Sequence, residues 1–164
     1  MDCEVIIVGG PRTVKRGGGP ASCSVLVRLD VWQEHARHYQ ARASRRWVRP
    51  DSSRETIARL VAAVPGATLL DIGAGTGAWA IYLAPYVASV IALDPSPAML
   101  AVLRERLAAE GLANVEVLQG AWPEAAVSIY DYALCSHAMY GSPDLPAFVR
   151  RMEQVTKRTR SEER

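Results

Sequence analysis

From Thr68 onward the chain alternates short apolar runs with segments of helical periodicity. Thr68-Leu69-Leu70-Asp71-Ile72 reads as a buried strand, Gly77 to Leu83 as a helix, and Ser89 to Leu93 as the next strand. Ser96 is a natural N-cap with Pro97 at the first helical position, and the pattern Met99, Leu100, Leu103, Leu107 carries that helix to Gly111. Val115 to Leu118 and Asp131 to Ser136 are predicted as further strands. Pro143-Asp144 opens a last helix that carries Leu145, Phe148, Val149 and Met152. Strands separated by helices are joined by crossovers and therefore pair in parallel, so the pattern predicts an α/β fold with a mostly parallel sheet.

Upstream the pattern differs. Val31, Trp32, His35, Ala36, Tyr39 and Ala43 recur at helical spacing through Trp47, with basic residues on the other face. Arg42, Arg45, Arg46, Arg49 and Arg54 form a local cluster that fits either a solvated helix face or a contact to phosphate or an acidic substrate. Pro50 stops this helix. Ser52 and Glu55 stand in capping-box spacing for a second one, which runs to about Val64 before Pro65-Gly66. Residues 1–30 read as an irregular leader. Glu4 to Gly10 looks like a strand entering a glycine turn, and Gly17-Gly18-Gly19-Pro20 resembles the phosphate turn of flavin-binding folds. Pro11 to Arg16, however, separates strand from glycines and breaks the cradle.

Composition narrows the function classes. A length of 164 residues suits one domain, and 49% apolar with 22% charged residues describes a globular chain. Nineteen basic against 17 acidic residues leave a net charge of +2, too little for nucleic acid to be the expected partner. The amino terminus carries acid where an export signal needs base, and no run approaches the ~20 apolar residues of a membrane span. Cys3, Cys23 and Cys135 are odd in number and lack metal-ligand spacing, so no metal is expected and the cytoplasm is the expected compartment. Walker, His-Glu-x-x-His and Gly-x-Ser-x-Gly motifs do not occur.

The candidate chemistry lies in Asp71-Ile72-Gly73-Ala74-Gly75-Thr76-Gly77-Ala78, a glycine turn between strand and helix, at the sheet edge where α/β proteins bind ligands. The glycines fit two templates. Gly73-x-Gly75-x-x-Ala78 suits a dinucleotide, and Gly73-x-Gly75-x-Gly77 suits S-adenosylmethionine. Asp71, expected at the mouth of the pocket, would oppose a pyrophosphate but attract an ammonium and a sulfonium. Asp94, about 20 residues past the glycines at the next strand end, can accept from ribose hydroxyls in either ligand.

On these residues, Val31 to Arg158 resembles the amino-terminal part of a class I S-adenosylmethionine-dependent methyltransferase, whose first motif Leu70 to Gly77 closely matches. The resemblance implies a Rossmann-like three-layer sandwich with S-adenosyl-L-methionine as cofactor. It implies that Gly73, Ala74, Gly75 and Gly77 pack on the methionine part, that Asp71 reaches the amino group, that Asp94 holds the ribose, and that Pro95 and Met99 flank the adenine. In the third strand region Ala121 stands where the family often has an acid for the adenine amino group, and Trp122 is placed to stack on the base. Ser136-His137-Ala138-Met139-Tyr140 arrives where the methyl group sits in the family, which puts Ser136 in the site and offers His137 as a general base. His35, His38 and Tyr39 are candidates for a lid. The segment is not the Asn/Asp-Pro-Pro-aromatic motif of enzymes acting on base nitrogens, so a small-molecule acceptor is expected. The alternatives are an NAD(P)-binding oxidoreductase and a non-catalytic fragment.

The family continues past the fourth strand and its helix, whereas residues 159–164 are a polar tail after an incomplete domain at 31–158. The fourth strand is therefore expected to be an exposed edge inviting self-association, with pairing by Glu4 to Val8 or Ser24 to Leu29 as the alternative.

Overall fold

The computed structural model describes residues 5–9, 32–48 and 50–157. Its elements are β1 (Val5–Gly9), α1 (Ala36–Trp47), α2 (Ser52–Ala62), β2 (Thr68–Ile72), α3 (Ala78–Leu83), β3 (Ser89–Asp94), α4 (Pro97–Glu110), β4 (Val115–Gln119), β5 (Tyr132–Ser136) and α5 (Leu145–Gln154). The sheet runs β1-β5-β2-β3-β4, with β5, β2, β3 and β4 parallel.

Alternation along the parallel strands sorts side chains into two cores. Leu69, Val90, Ala92, Tyr132 and Leu134 pack under α2, α3 and α4 with Val61, Leu83 and Leu103. Leu70, Ile72, Leu93, Ala133 and Cys135 pack on the opposite face with Phe148 and Met152 of α5. The result is the expected helix–sheet–helix sandwich. Ser96 caps α4 by accepting from the Met99 N–H, Gly111 closes that helix in the left-handed region, and Asp144 caps α5.

Three local expectations are corrected. The first helix starts at Ala36, after a turn at 32–35. Asp51, not Ser52, caps α2: its backbone is still extended, and its carboxylate accepts from the Ser53 N–H at 2.8 Å. Arg54 does not belong to a surface basic cluster, because it is 8% exposed with its guanidinium 4.6 Å over the Trp47 ring.

The fourth parallel strand, β5, is not an exposed edge. β1 pairs with it antiparallel, Val5 opposite Ser136 and Gly9 opposite Tyr132, so backbone groups expected to lie open are taken up by a strand from the leader. The self-association inferred from that edge loses its basis. The candidate turn Gly17–Pro20, the segment Ser24–Leu29, Cys3, Cys23, Arg49 and the polar tail lie outside the described residues.

Candidate cofactor site

The turn after β2 owes its shape to glycines at positive φ, two of which also approach neighbouring side chains closely. Gly73, at φ +73°, approaches the loop after β5 so closely that a Cβ there would stand 2.1 Å from the Ala138 Cβ. Gly77, at φ +82°, lies against α4, where a Cβ would meet Leu103 Cδ1 at 2.1 Å. The glycine spacing legible in the sequence thus serves close approach on both flanks of the turn.

Internal hydrogen bonds fix the loop. The Gly73 and Ala74 N–H groups donate to the Leu93 carbonyl at 2.8 and 3.0 Å, and the Gly77 N–H donates to the Ala74 carbonyl at 2.8 Å. Asp94, at the end of β3, accepts from the Gly75 N–H at 2.8 Å through Oδ2 and from the Ser96 N–H at 2.9 Å through Oδ1. Four turn amides are therefore committed within the protein, and the following helix spans only Ala78–Leu83. A pyrophosphate needs free amides and a helix dipole, and the turn supplies little of either. Asp94 thereby ties the end of β3 to the middle of the glycine turn.

Asp71 lies beneath the turn, 2% exposed, rather than at the pocket mouth. Burial is the main cause that pushes its carboxyl up to about 7; the Ala80 N–H opposes this and the Asp94 charge adds to it. Its Oδ2 has no hydrogen-bond partner. An orphaned carboxylate oxygen under a turn of spent amides fits a cationic ligand group, directly or through water, and does not fit an anionic one. Cys135 is buried on the opposite face of the sheet, and burial raises its thiol to about 12, which disfavours a reactive thiolate.

Beside the turn, a cavity of about 250 Å³ brings together Gly73, Pro95, Ala121 and Trp122, four residues expected from the sequence. Trp122 is held edge-on to Phe148, with ring centroids 6.0 Å apart, and its indole N–H donates to the Phe148 carbonyl at 3.2 Å. Ser142, Pro143 and Phe148 complete the wall. The sequence signal for these residues is Pro143-Asp144, which opens a helix at the ligand-binding edge.

Other expected residues lie elsewhere. Met99 is 4% exposed and packs with Ala36 and Val102, so it is a core side chain rather than a cavity wall. Ser136 ends β5 opposite Val5 and does not line the cavity. His137 is exposed in the left-handed region at φ +58°, with Nδ1 3.1 Å from the Tyr140 hydroxyl. It does not line the cavity, although its chain neighbour Ala138 does. His35, His38 and Tyr39 stay exposed and do not reach the cavity; Gln40 is the α1 residue that touches the glycine turn. Among the described residues no group of three His, Cys, Asp or Glu is arranged to hold a metal, and no helix is long and apolar enough to cross a membrane.

Residues 69–159, more than half of the chain, match the family described as the methyltransferase domain. The chain belongs to this family. By fold and motif the domain is of the class I, S-adenosylmethionine-dependent type, and S-adenosylmethionine is the cofactor expected at the turn. An rRNA adenine N-6-methyltransferase of Streptomyces fradiae is 36% identical over 86 residues, which cover 52% of this chain and 27% of that protein. A demethylmenaquinone methyltransferase of Geobacillus kaustophilus is 32% identical over 112 residues, covering 63% of this chain and 47% of the relative. The methyltransferase chain thus spans about half the length of such relatives or less. A crystallised protein of Methanococcus maripaludis superposes with a TM-score of 0.64 at 20% identity, over 83% of this chain and 64% of that one, and shares the fold.

Proposed function

We propose that the chain binds S-adenosylmethionine between the Gly73–Gly77 turn and the Ala121-Trp122 segment, and directs its methyl group to a small-molecule acceptor. The observation that carries this reading is the unpartnered Asp71 Oδ2 beneath a turn whose amides are already bonded. That combination suits a ligand carrying ammonium and sulfonium groups, and it disfavours the dinucleotide alternative.

The cofactor supplies an electrophilic methyl group, and the chain's residues orient and shield it. Asp94 presents carboxylate oxygens to the ribose diol while anchoring Gly75. Trp122, locked against Phe148, gives the adenine an apolar wall, and Ala121 leaves the edge contact to backbone groups. Asp71, buried under the turn and facing away from the cavity, offers its negative charge to the amino group across the turn or through water. His137, one residue before the cavity-lining Ala138, is our candidate to take a proton from a hydroxyl or thiol acceptor as the nucleophile attacks. Most of the rate would come from alignment and exclusion of water.

A small acceptor is supported by the sequence Ser136-His137-Ala138-Met139-Tyr140, which lacks the motif used on base nitrogens, and by the longer match to the demethylmenaquinone relative. The rRNA relative favours RNA as the second reading. Incubation with methyl-labelled S-adenosylmethionine and parallel pools of phenolic, quinol, thiol and RNA acceptors tests the choice. Label in a small-molecule pool is expected; label confined to RNA would overturn it.

A further inference from the structure

Gln40 joins three elements at one atom. Its Oε1 accepts from the Thr76 hydroxyl, inside the glycine turn, and from Arg106 Nη1 of α4 at 3.4 Å. The same Arg106 nitrogen donates to the Thr76 carbonyl at 2.7 Å. Thr76 is 1% exposed, so its carbonyl and hydroxyl depend on these partners. Gln40 Nε2 donates to Ser44 Oγ at 2.8 Å along its own helix, which fixes the amide with its oxygen toward the guanidinium, a group that can only donate. The two ends of α1 are held away from the turn: Ala36 packs against Met99 and Val102 beside an exposed Arg37–Glu105 ion pair to α4, and Trp47 stands edge-on to Trp79 with centroids 5.2 Å apart and accepts from Arg54 of α2. The polar hub at the centre of α1 is therefore its tie to the cofactor turn.

We propose that Gln40 and Arg106 are positioning residues of the cofactor site, coupling the docking of α1 to the conformation of the Gly73–Gly77 turn. The inference rests on the cofactor reading above. Neither residue lines the candidate cofactor cavity; both act through Thr76, one residue from Gly75, whose N–H is bonded to Asp94. A turn that loses both Thr76 partners must leave a buried carbonyl unsatisfied or move toward water, and movement carries Gly75 and Asp94 with it.

The test compares the wild-type chain with Gln40→Leu, Arg106→Leu and Gln40→Glu. Binding and release of S-adenosylhomocysteine are measured by stopped-flow, and amide exchange of residues 40–44 and 73–77 is followed without ligand. The two leucine variants should bind about tenfold more weakly, mainly through faster release, and exchange faster in both segments while β2 amides keep wild-type protection. Gln40→Glu keeps the acceptor and adds charge toward Arg106, so it should bind at least as tightly and release more slowly. Leucine variants that fold and release ligand at the wild-type rate would overturn the proposal. If they fail to fold, Gln40→Glu decides alone, and tenfold weaker binding by it would be contrary. A wild-type chain that binds no S-adenosylhomocysteine refutes the cofactor reading, and the ligand-free exchange then decides the coupling by itself.

Discussion

Replacing Asp71 by Asn tests the electrostatics of the site without changing its shape. The buried carboxyl titrates near 7 in the fold against an ordinary value of 3.8, and burial is the first cause. An acid with a raised folded pKa binds more protons folded than unfolded between these values, so stability falls as pH rises from about 4 to about 7 and levels off above. At 1.36 kcal/mol per pH unit the ceiling is roughly 4 kcal/mol; relaxation and water entry reduce the expected effect to about 1–3 kcal/mol. Asp71→Asn removes the ionisation. Urea unfolding at intervals from pH 4 to 8 should show the variant losing the downward slope and exceeding the wild type by about 1–3 kcal/mol at pH 8. Cofactor binding should move the other way, because the variant has no charge for the amino group. Wild-type binding of S-adenosylhomocysteine near pH 6 should release a proton, seen as a dependence of titration heat on buffer ionisation enthalpy, and the variant should not. Parallel stability curves for the two chains would refute the buried-charge reasoning.

Further expectations concern the turn and His137. Gly73→Ala places a Cβ 2.1 Å from the Ala138 Cβ at a positive φ and should destabilise by about 1–3 kcal/mol, read by thermal melting, while abolishing cofactor binding. Asp94→Ala loses ribose acceptors and the Gly75 anchor, so calorimetry should report about 1.5–3 kcal/mol weaker binding. His137→Ala should lower turnover on a hydroxyl or thiol acceptor more than it lowers cofactor affinity; an equal rate would make the histidine structural.

What was legible in the sequence followed from period and local chemistry. The strand-helix alternation from Thr68, the caps at Ser96, Gly111 and Asp144, and the glycine turn are properties of neighbouring residues, and each is found in place. Side-chain roles decided by distant partners were less accessible. The family resemblance points Met99 toward the adenine, but its face of α4 is covered by Ala36, more than sixty residues away in the chain. Asp71 sits on the Leu69 side of β2, under the turn, because the alternation of the strand turns it away from the Ile72 side on which the cavity lies. Gln40 and Arg106 look like ordinary surface residues of amphipathic helices, and only the packing of α1 across α4 brings them to Thr76. The pairing of β1 with β5 joins segments at opposite ends of the chain; Glu4 to Val8 reads as a strand and offers this pairing as the alternative to an open edge, but no local signal chooses between the two.

Calorimetric titration of the purified chain with S-adenosylhomocysteine and, separately, with NAD tests the central claim most directly. One-site binding of S-adenosylhomocysteine is predicted, lost in Gly73→Ala and weakened in Asp94→Ala, with no heat from NAD. Saturable binding of NAD by a chain that ignores S-adenosylhomocysteine would contradict the account.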